Sequence, residues 1–245
     1  AVTGLHGRIR DRFRRQSAGA VLSDKQSQRN SVLWLWNQLH GLTVGSMKIA
    51  SWNINGIKAR LDNLLNWLAE SQPDIACLQE VKSVDENFPR EPIEALGYHV
   101  ETHGQKGFNG VALLSKMRSD EINRGLPMLP GDYNVIPEPY DCRDPAQWEG
   151  DALYHEKSRS ALRRLENLGF TETIRNTTDA VKVYSFWDYQ AGAWPKNNGI
   201  RIDHLMLSPE AANRLQSADI EKHVRGWEKP SDHVPVIAQL DFEAA

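Results

Sequence analysis

Pro127 and Pro130 stand three residues apart in the stretch LPMLPGDYN, and they limit what this part of the chain can become more than any other local feature. A proline gives a β-ladder no N–H, so the stretch cannot be a central strand. Yet it leads straight into Gly131-Asp132-Tyr133-Asn134, an acid and an amide two apart after a glycine. A site carboxylate is normally aimed from the end of a buried strand. Here the residues that would form that strand are the ones least able to do so.

From Met47 onward, short apolar runs and helical patterns alternate without a repeat. Lys48 to Trp52 predicts a strand ending at Asn53, and Asn55-Gly56 is a turn signal. Leu61, Leu64, Leu65 and Leu68 share one helix face, and Pro73 stops that helix. Ile75 to Leu78 predicts a buried strand ending at Gln79-Glu80. Glu91 to Leu96, closed by Gly97, predicts a short helix; Tyr98 to Thr102 and Val111 to Leu114 predict strands. Ser158 to Leu168 predicts a helix with Ser158 as its N-cap. VYSFWDY and GIRIDHLMLS predict strands, the second with Asp203 inside it. Ser208-Pro209-Glu210 opens a helix to about Arg214, and a last strand follows Asp232-His233. This mixture indicates an α/β or α+β sandwich.

Polar residues recur at the ends of those strands: Asn53, Glu80, Asp132 with Asn134, Asp203, and Asp232 with His233. Taken singly, each has a plainer reading as a cap, a turn or a solvated residue. Together they are what metal-assisted phosphoester hydrolysis needs. Mg²⁺ takes oxygen ligands, usually one or two carboxylates. A further carboxylate must orient or deprotonate water, and an imidazole or amide must hold the phosphate from another side.

Bulk properties exclude little. No apolar run nears the ~20 residues of a membrane span. Two cysteines, Cys77 and Cys142, make neither a disulfide framework nor a zinc cluster, so a reducing cytosol is the default. A net charge of −3 does not mark a nucleic-acid binder, although a metal and a local basic face can outweigh the sum. The charge is uneven: Arg8, Arg10, Arg12, Arg14 and Arg15 face only Asp11 near the start. Residues 1–46 are expected to be an extension to a domain covering 47–245. Three readings of it stay open: a disordered basic arm, an Arg-rich targeting peptide, and non-native upstream sequence.

The stretches KIASWNINGIKAR, PDIACLQEVK, HGQKGFNGVALLSK, GDYNVIP, YSFWDYQAGAW, NNGIRIDHLMLS and EKPSDHVPV resemble, in this order, the exonuclease III family of AP endonucleases, within the endonuclease/exonuclease/phosphatase superfamily. The likeness runs from Met47 to about Phe242. It implies a four-layer sandwich, two mixed β-sheets face to face with helices outside. It implies a nuclease that uses Mg²⁺, or Mn²⁺ in its place, and cuts double-stranded DNA 5′ to abasic sites and at 3′ ends. A monomer with no membrane attachment is expected. By position, Glu80, Asn53 and Asp232 resemble the metal-side residues. Asp132 resembles the carboxylate that activates water, with Asn134 as its companion. His233 resembles the imidazole on the scissile phosphate, oriented by Asp203. Phe186 and Trp187 match the wall of the abasic pocket, Asn55 a position where some members carry a metal-side Asp, and Lys106 and Arg201 lie in matched loops suited to DNA contact.

The resemblance breaks at the opening stretch. The family places a strand bearing an active-site Tyr, a crossover helix and the strand ending in GDxN between the equivalents of Lys116 and Asp132. Fifteen residues join them here, and a strand–helix–strand unit takes ~30 or more. One sheet is therefore expected to be incomplete. The alternative to an active nuclease is an impaired remnant that keeps only residual DNA or metal binding.

Overall fold

The computed structural model describes residues 45–104, 107, 109–118 and 130–241. The expectations for the N-terminal extension and for Lys106 fall almost wholly outside them, as does the connection 119–129. Asn53 and Trp52 illustrate how the layers arise. Consecutive strand residues point to opposite faces, and here both faces are buried. Trp52 meets Trp67 edge-on with ring centroids 5.2 Å apart. Asn53 points the other way and bonds to Asp132.

Trp52 and Asn53 close β1 (Ser46–Asn53), which runs parallel to β2 (Ile75–Gln79) and antiparallel to β9 (Val236–Asp241). Beyond β2 lie β4 (Val111–Ser115) and then β3 (His99–His103); beyond β9 lies β8 (Leu215–Ile220). The result is a six-stranded mixed sheet in the order β3-β4-β2-β1-β9-β8. Trp67 belongs to α1 (Leu61–Ser71), whose Leu64, Trp67 and Leu68 are buried against this sheet. α1 ends as its sequence predicts: Gln72 turns left-handed at φ 48°, its N–H bonds Leu68 O, and Pro73 follows.

The second sheet has three strands, β5 (Pro130–Asp132), β7 (Asp203–Leu207) and β6 (Thr171–Glu172), in the order β5-β7-β6. Both ladders are antiparallel, so this sheet is not mixed as expected. β7 is buried along its whole length. Its Leu205 joins the main core. Its Met206, on the opposite face, packs with Val135 and with Leu162 of α3 (Glu156–Asn167). Shorter helices are α2 (Arg90–Glu94), α4 (Thr173–Thr177) and α5 (Pro209–Ala212).

Pro130 has the consequence expected of it; Pro127 lies outside the described residues. Among the described residues β5 is an edge strand of three residues. Tyr133 N–H donates to Ile202 O at 3.0 Å, so Gly131, two residues earlier, also faces β7 and Pro130 faces away. The missing N–H of Pro130 thus falls on the side away from β7. Other expectations shift. α3 starts earlier than expected, because His155 rather than Ser158 caps it, its Nδ1 accepting from Lys157 N at 3.1 Å. VYSFWDY forms only single bridges, from Phe186 to Ile200 and to His233. The ladder of GIRIDHLMLS begins at Asp203, so that acid stands at the strand's start and not inside it. β8 was not predicted; it is a largely exposed strand with a register break at Leu215/Ser217.

Candidate active site

Five loop and strand ends converge where the two sheets face each other. Asn53 ends β1 and Glu80 follows β2. Asp132 ends β5 and Asp203 opens β7, its register partner. Asp232 and His233 lie just before β9. Asn53 is the link between them. Its Nδ2 donates to Glu80 Oε1 and to Asp132 Oδ2, both at 3.1 Å, and its Oδ1 accepts from Asn55 N at 3.1 Å. Asn55 Nδ2 in turn donates to Asp232 Oδ1 at 2.9 Å. Glu80 at φ 51°, Asn55 at φ 47° and Asn134 at φ 52° all hold left-handed backbone without being glycine. Such strain persists where surrounding structure enforces it, and it concentrates at functional sites.

His233 stands beside both Asp203 and Asp132. Its Nδ1 lies 2.9 Å from Asp203 Oδ2, and its Nε2 lies 3.8 Å from Asp132 Oδ2. Phe186 meets the imidazole edge-on at 4.8 Å. Burial disfavours the His233 cation, but the charge and hydrogen bond of Asp203, with Asp132 behind them, outweigh it and lift the pKa to about 9. Asp132 is pushed above the usual carboxylate range, first by burial and then by Asp203, against the opposing pull of His233, Asn134 N–H and Asn53. Glu80 goes the other way: burial opposes its charge, yet Asn53 and Lys82 hold it below its ordinary value.

Two serines absent from the sequence reading brace this cluster. Ser185 Oγ donates to Asp203 Oδ2 at 2.6 Å and accepts from the N–H groups of Ile202 and Asp203 at 3.1 Å. Ser231 Oγ donates to Asn53 O at 2.7 Å and accepts from His233 N at 3.3 Å. Their only signal was position, immediately before Phe186 and Asp232.

Asp132, Asp203 and His233 offer ligand atoms all within 4.8 Å of one another. That group is already committed to a proton: a cation-favouring imidazole lies against Asp203. The harder oxygen donors lie on the other side of Asn53. There Lys82 Nζ sits 2.5 Å from Asn55 Oδ1 and 3.0 Å from Glu80 Oε2, an ammonium occupying oxygens that would suit a metal ion.

Four expected DNA-facing residues fare differently. Phe186 remains partly exposed, whereas Trp187 is fully buried in the main core. A Cβ on Gly199 would come within 2.6 Å of the Trp187 ring, which shows how tightly that indole is enclosed. Arg201 is only 1% exposed and is spent inside the protein. It bonds Asp141 through Nε at 2.8 Å and Nη2 at 3.1 Å, and pairs with Glu172 at 3.1 Å. A guanidinium so engaged cannot reach a DNA backbone; the motif position carries a structural ion pair. Asn55 is at the site, but its side chain faces Asp232 and Lys82 rather than an open pocket.

The sequence pattern of the endonuclease/exonuclease/phosphatase family matches residues 50–233, three quarters of the chain, and the chain belongs to that family. Within it the likeness is to exonuclease III and AP endonucleases. Exodeoxyribonuclease III of Haemophilus influenzae is 29% identical, over 79% of this chain and 100% of its own length. DNA repair nuclease APEX1 of Danio rerio is 25% identical, over 78% of this chain and 81% of its own. Among solved structures, an AP endonuclease from Archaeoglobus fulgidus superposes with a TM-score of 0.76 at 29% identity, covering 80% of this chain and 100% of that one. A 3′ phosphatase from Neisseria bound to product DNA hairpin gives 0.77 at 27% identity, with the same coverage. The Haemophilus alignment runs over 266 positions, while 79% of 245 residues is about 194, so about 70 positions face no residue here.

Proposed function

We propose that this chain is a metal-dependent DNA repair nuclease that hydrolyses phosphodiester bonds, cutting 5′ to abasic sites and trimming 3′ ends. The observation that carries this reading is the alignment of Asp132, His233 and Asp203 beside the Asn53 link to Glu80. Asp132, with its raised proton affinity, suits the group that accepts a proton from the attacking water. Asn53 and the Asn134 N–H, 2.9 Å from Asp132 Oδ1, hold both of its oxygens in place. His233, cationic near neutrality, suits a donor to a phosphate oxygen through Nε2, while Asp203 fixes Nδ1. Phe186 gives an apolar wall beside that imidazole for a base-less sugar.

Glu80 and Asp232, with the side-chain oxygens of Asn53 and Asn55, would hold the divalent ion. Their hard oxygens fit Mg²⁺, with Mn²⁺ as substitute, and the Lys82 ammonium bonded to Glu80 and Asn55 supports that fit. When bound, such an ion neutralises charge on the phosphate and the leaving oxygen. We take residues 47–245 as the nuclease domain, 1–46 as an extension to it, and the protein as a monomer. Among the described residues no helix is long and apolar enough to cross a membrane. Cys77 and Cys142 are buried and free, which suits a reducing cytosol.

A second reading rests on the positions of the relatives that have no counterpart here. We assign that gap to the segment between Lys116 and Asp132, where the family's active-site Tyr would lie. On this reading the chain is an impaired remnant. Nicking of an abasic-site duplex with Mg²⁺, for the wild type and for Asp132→Asn, separates the two. Cleavage that Asp132→Asn abolishes supports the nuclease; equal residual cleavage by both supports the remnant.

A further inference from the structure

Tyr189 lies outside the constellation described above, yet its hydroxyl touches both loops that carry Asn55 and Asp232. It donates to Pro230 O at 2.9 Å, two residues before Asp232. It accepts from Arg60 Nη2 at 3.0 Å and from Asn55 Nδ2 at 3.4 Å. Arg60 completes the loop by donating from Nη1 to Asn55 O at 2.7 Å. Its Nε is buried and has no hydrogen-bond partner, so its two terminal nitrogens carry its bonding. The Tyr189 ring is capped by Arg225, whose guanidinium carbon lies 5.0 Å from the ring centroid. Arg225 Nη2 also donates to Trp187 O at 3.1 Å, and Trp187 N–H donates to Asp232 O at 2.9 Å.

Asn55 and Asp232 sit on separate irregular loops, and no regular backbone ladder joins them. Asn55 in addition holds a left-handed conformation, at φ 47°. Asn55 Nδ2 bonds Asp232 Oδ1 directly and Ser231 Oγ bonds Asn53 O, and the hydroxyl of Tyr189 adds a third tie that touches both loops from outside them.

We propose that Tyr189 is a positioning residue for the divalent cation: its hydroxyl, with Arg60, pins the Asn55 loop to the Pro230–Asp232 loop and so sets the spacing of the cation's oxygen donors. This rests on the metal site proposed above. Residues that orient metal ligands without touching the ion typically contribute 10–100-fold to affinity. Tyr189→Phe keeps the ring beneath Arg225 and removes only the hydroxyl.

The test is Mn²⁺ binding to the full chain, followed by electron paramagnetic resonance of free Mn²⁺ and without DNA. About tenfold weaker binding by Tyr189→Phe, with the thermal midpoint unchanged, is expected. Equal affinity in the two proteins overturns the positioning role and leaves the metal site standing. Absence of Mn²⁺ binding by the wild type overturns the metal site, and the positioning role with it. If Tyr189→Phe loses its cooperative melt, Arg60→Lys takes its place. That variant keeps the charge but not the two-pronged reach to Asn55 and Tyr189, and the same outcomes decide.

Discussion

Asp132 and Asp203 are register partners across the β5–β7 ladder, and His233 lies against both. Two carboxylates this close repel each other when both carry charge. The imidazolium beside them relieves that. The arrangement also divides labour. Asp203 is fully buried and bonded by Ser185, so it serves the imidazole. Asp132 keeps a raised proton affinity and remains free to act on water.

Removing the Asp203 charge should therefore change His233 before anything else. In Asp203→Asn the burial of His233 is no longer outweighed, so its pKa should fall well below about 9. Catalysis should drop ~10²–10⁴-fold, the usual range for a positioned acid or base. The alkaline limb of the pH–rate profile should move to lower pH. A profile with its alkaline limb unmoved would separate Asp203 from the state of His233.

Arg201 gives a prediction about stability rather than catalysis. It is 1% exposed and is shared by Asp141 and Glu172, both buried. Its removal leaves two buried carboxylates without their main partner. Breaking a buried pair on one side costs about 3–5 kcal/mol. Arg201→Ala should lower the urea midpoint accordingly. If Arg201 contacted DNA instead, the variant would melt normally and bind duplex less tightly.

Glu172 sets the pH dependence of the same network. Burial opposes its charge, but Arg201 and His204 outweigh that and draw its pKa from 4.5 down to about 2. A carboxylate depressed in the folded state stabilises above its unfolded pKa and loses that stabilisation as pH falls through the folded one. The contribution, on the order of 3 kcal/mol, is therefore complete above pH 4.5 and disappears toward pH 2. Glu172→Gln should be less stable than wild type at pH 7, and the gap should narrow as pH falls to 3. Chemical denaturation at the two pH values measures it.

Much of this was legible beforehand because strand ends are local facts. Asn53, Glu80, Asp132, Asp203 and His233 each close or open a short apolar run, and the fold brings those ends together. The edge status of β5 followed from proline chemistry alone. What could not be read was direction. Arg201 and Trp187 stand in motifs beside site residues, yet their side chains turn inward; for Arg201 only the partners Asp141 and Glu172, distant in sequence, reveal it, and for Trp187 only its complete burial in the core. Tyr189 was invisible for the same reason: its contacts, Arg60 and Pro230, lie 129 and 41 residues away. β8 was missed because its residues, LQSADI, are half polar and do not alternate with period two.

The last prediction returns to the strand that aims Asp132. Gly131 is the middle residue of β5, is buried, and does not hold a positive φ. A Cβ built there meets nothing within 4 Å. Glycine in a strand costs backbone entropy on folding, and replacing it where the conformation allows gains about 0.4–1 kcal/mol through the unfolded chain. Gly131→Ala should therefore raise the thermal midpoint by a few degrees, by the usual scaling for a domain of this size. It should also leave the Asp132 geometry, and hence cleavage of an abasic-site duplex, unchanged. A lowered midpoint would mean that the sheet face beside Gly131 is filled. The two outcomes separate a strand open on that face from one packed there.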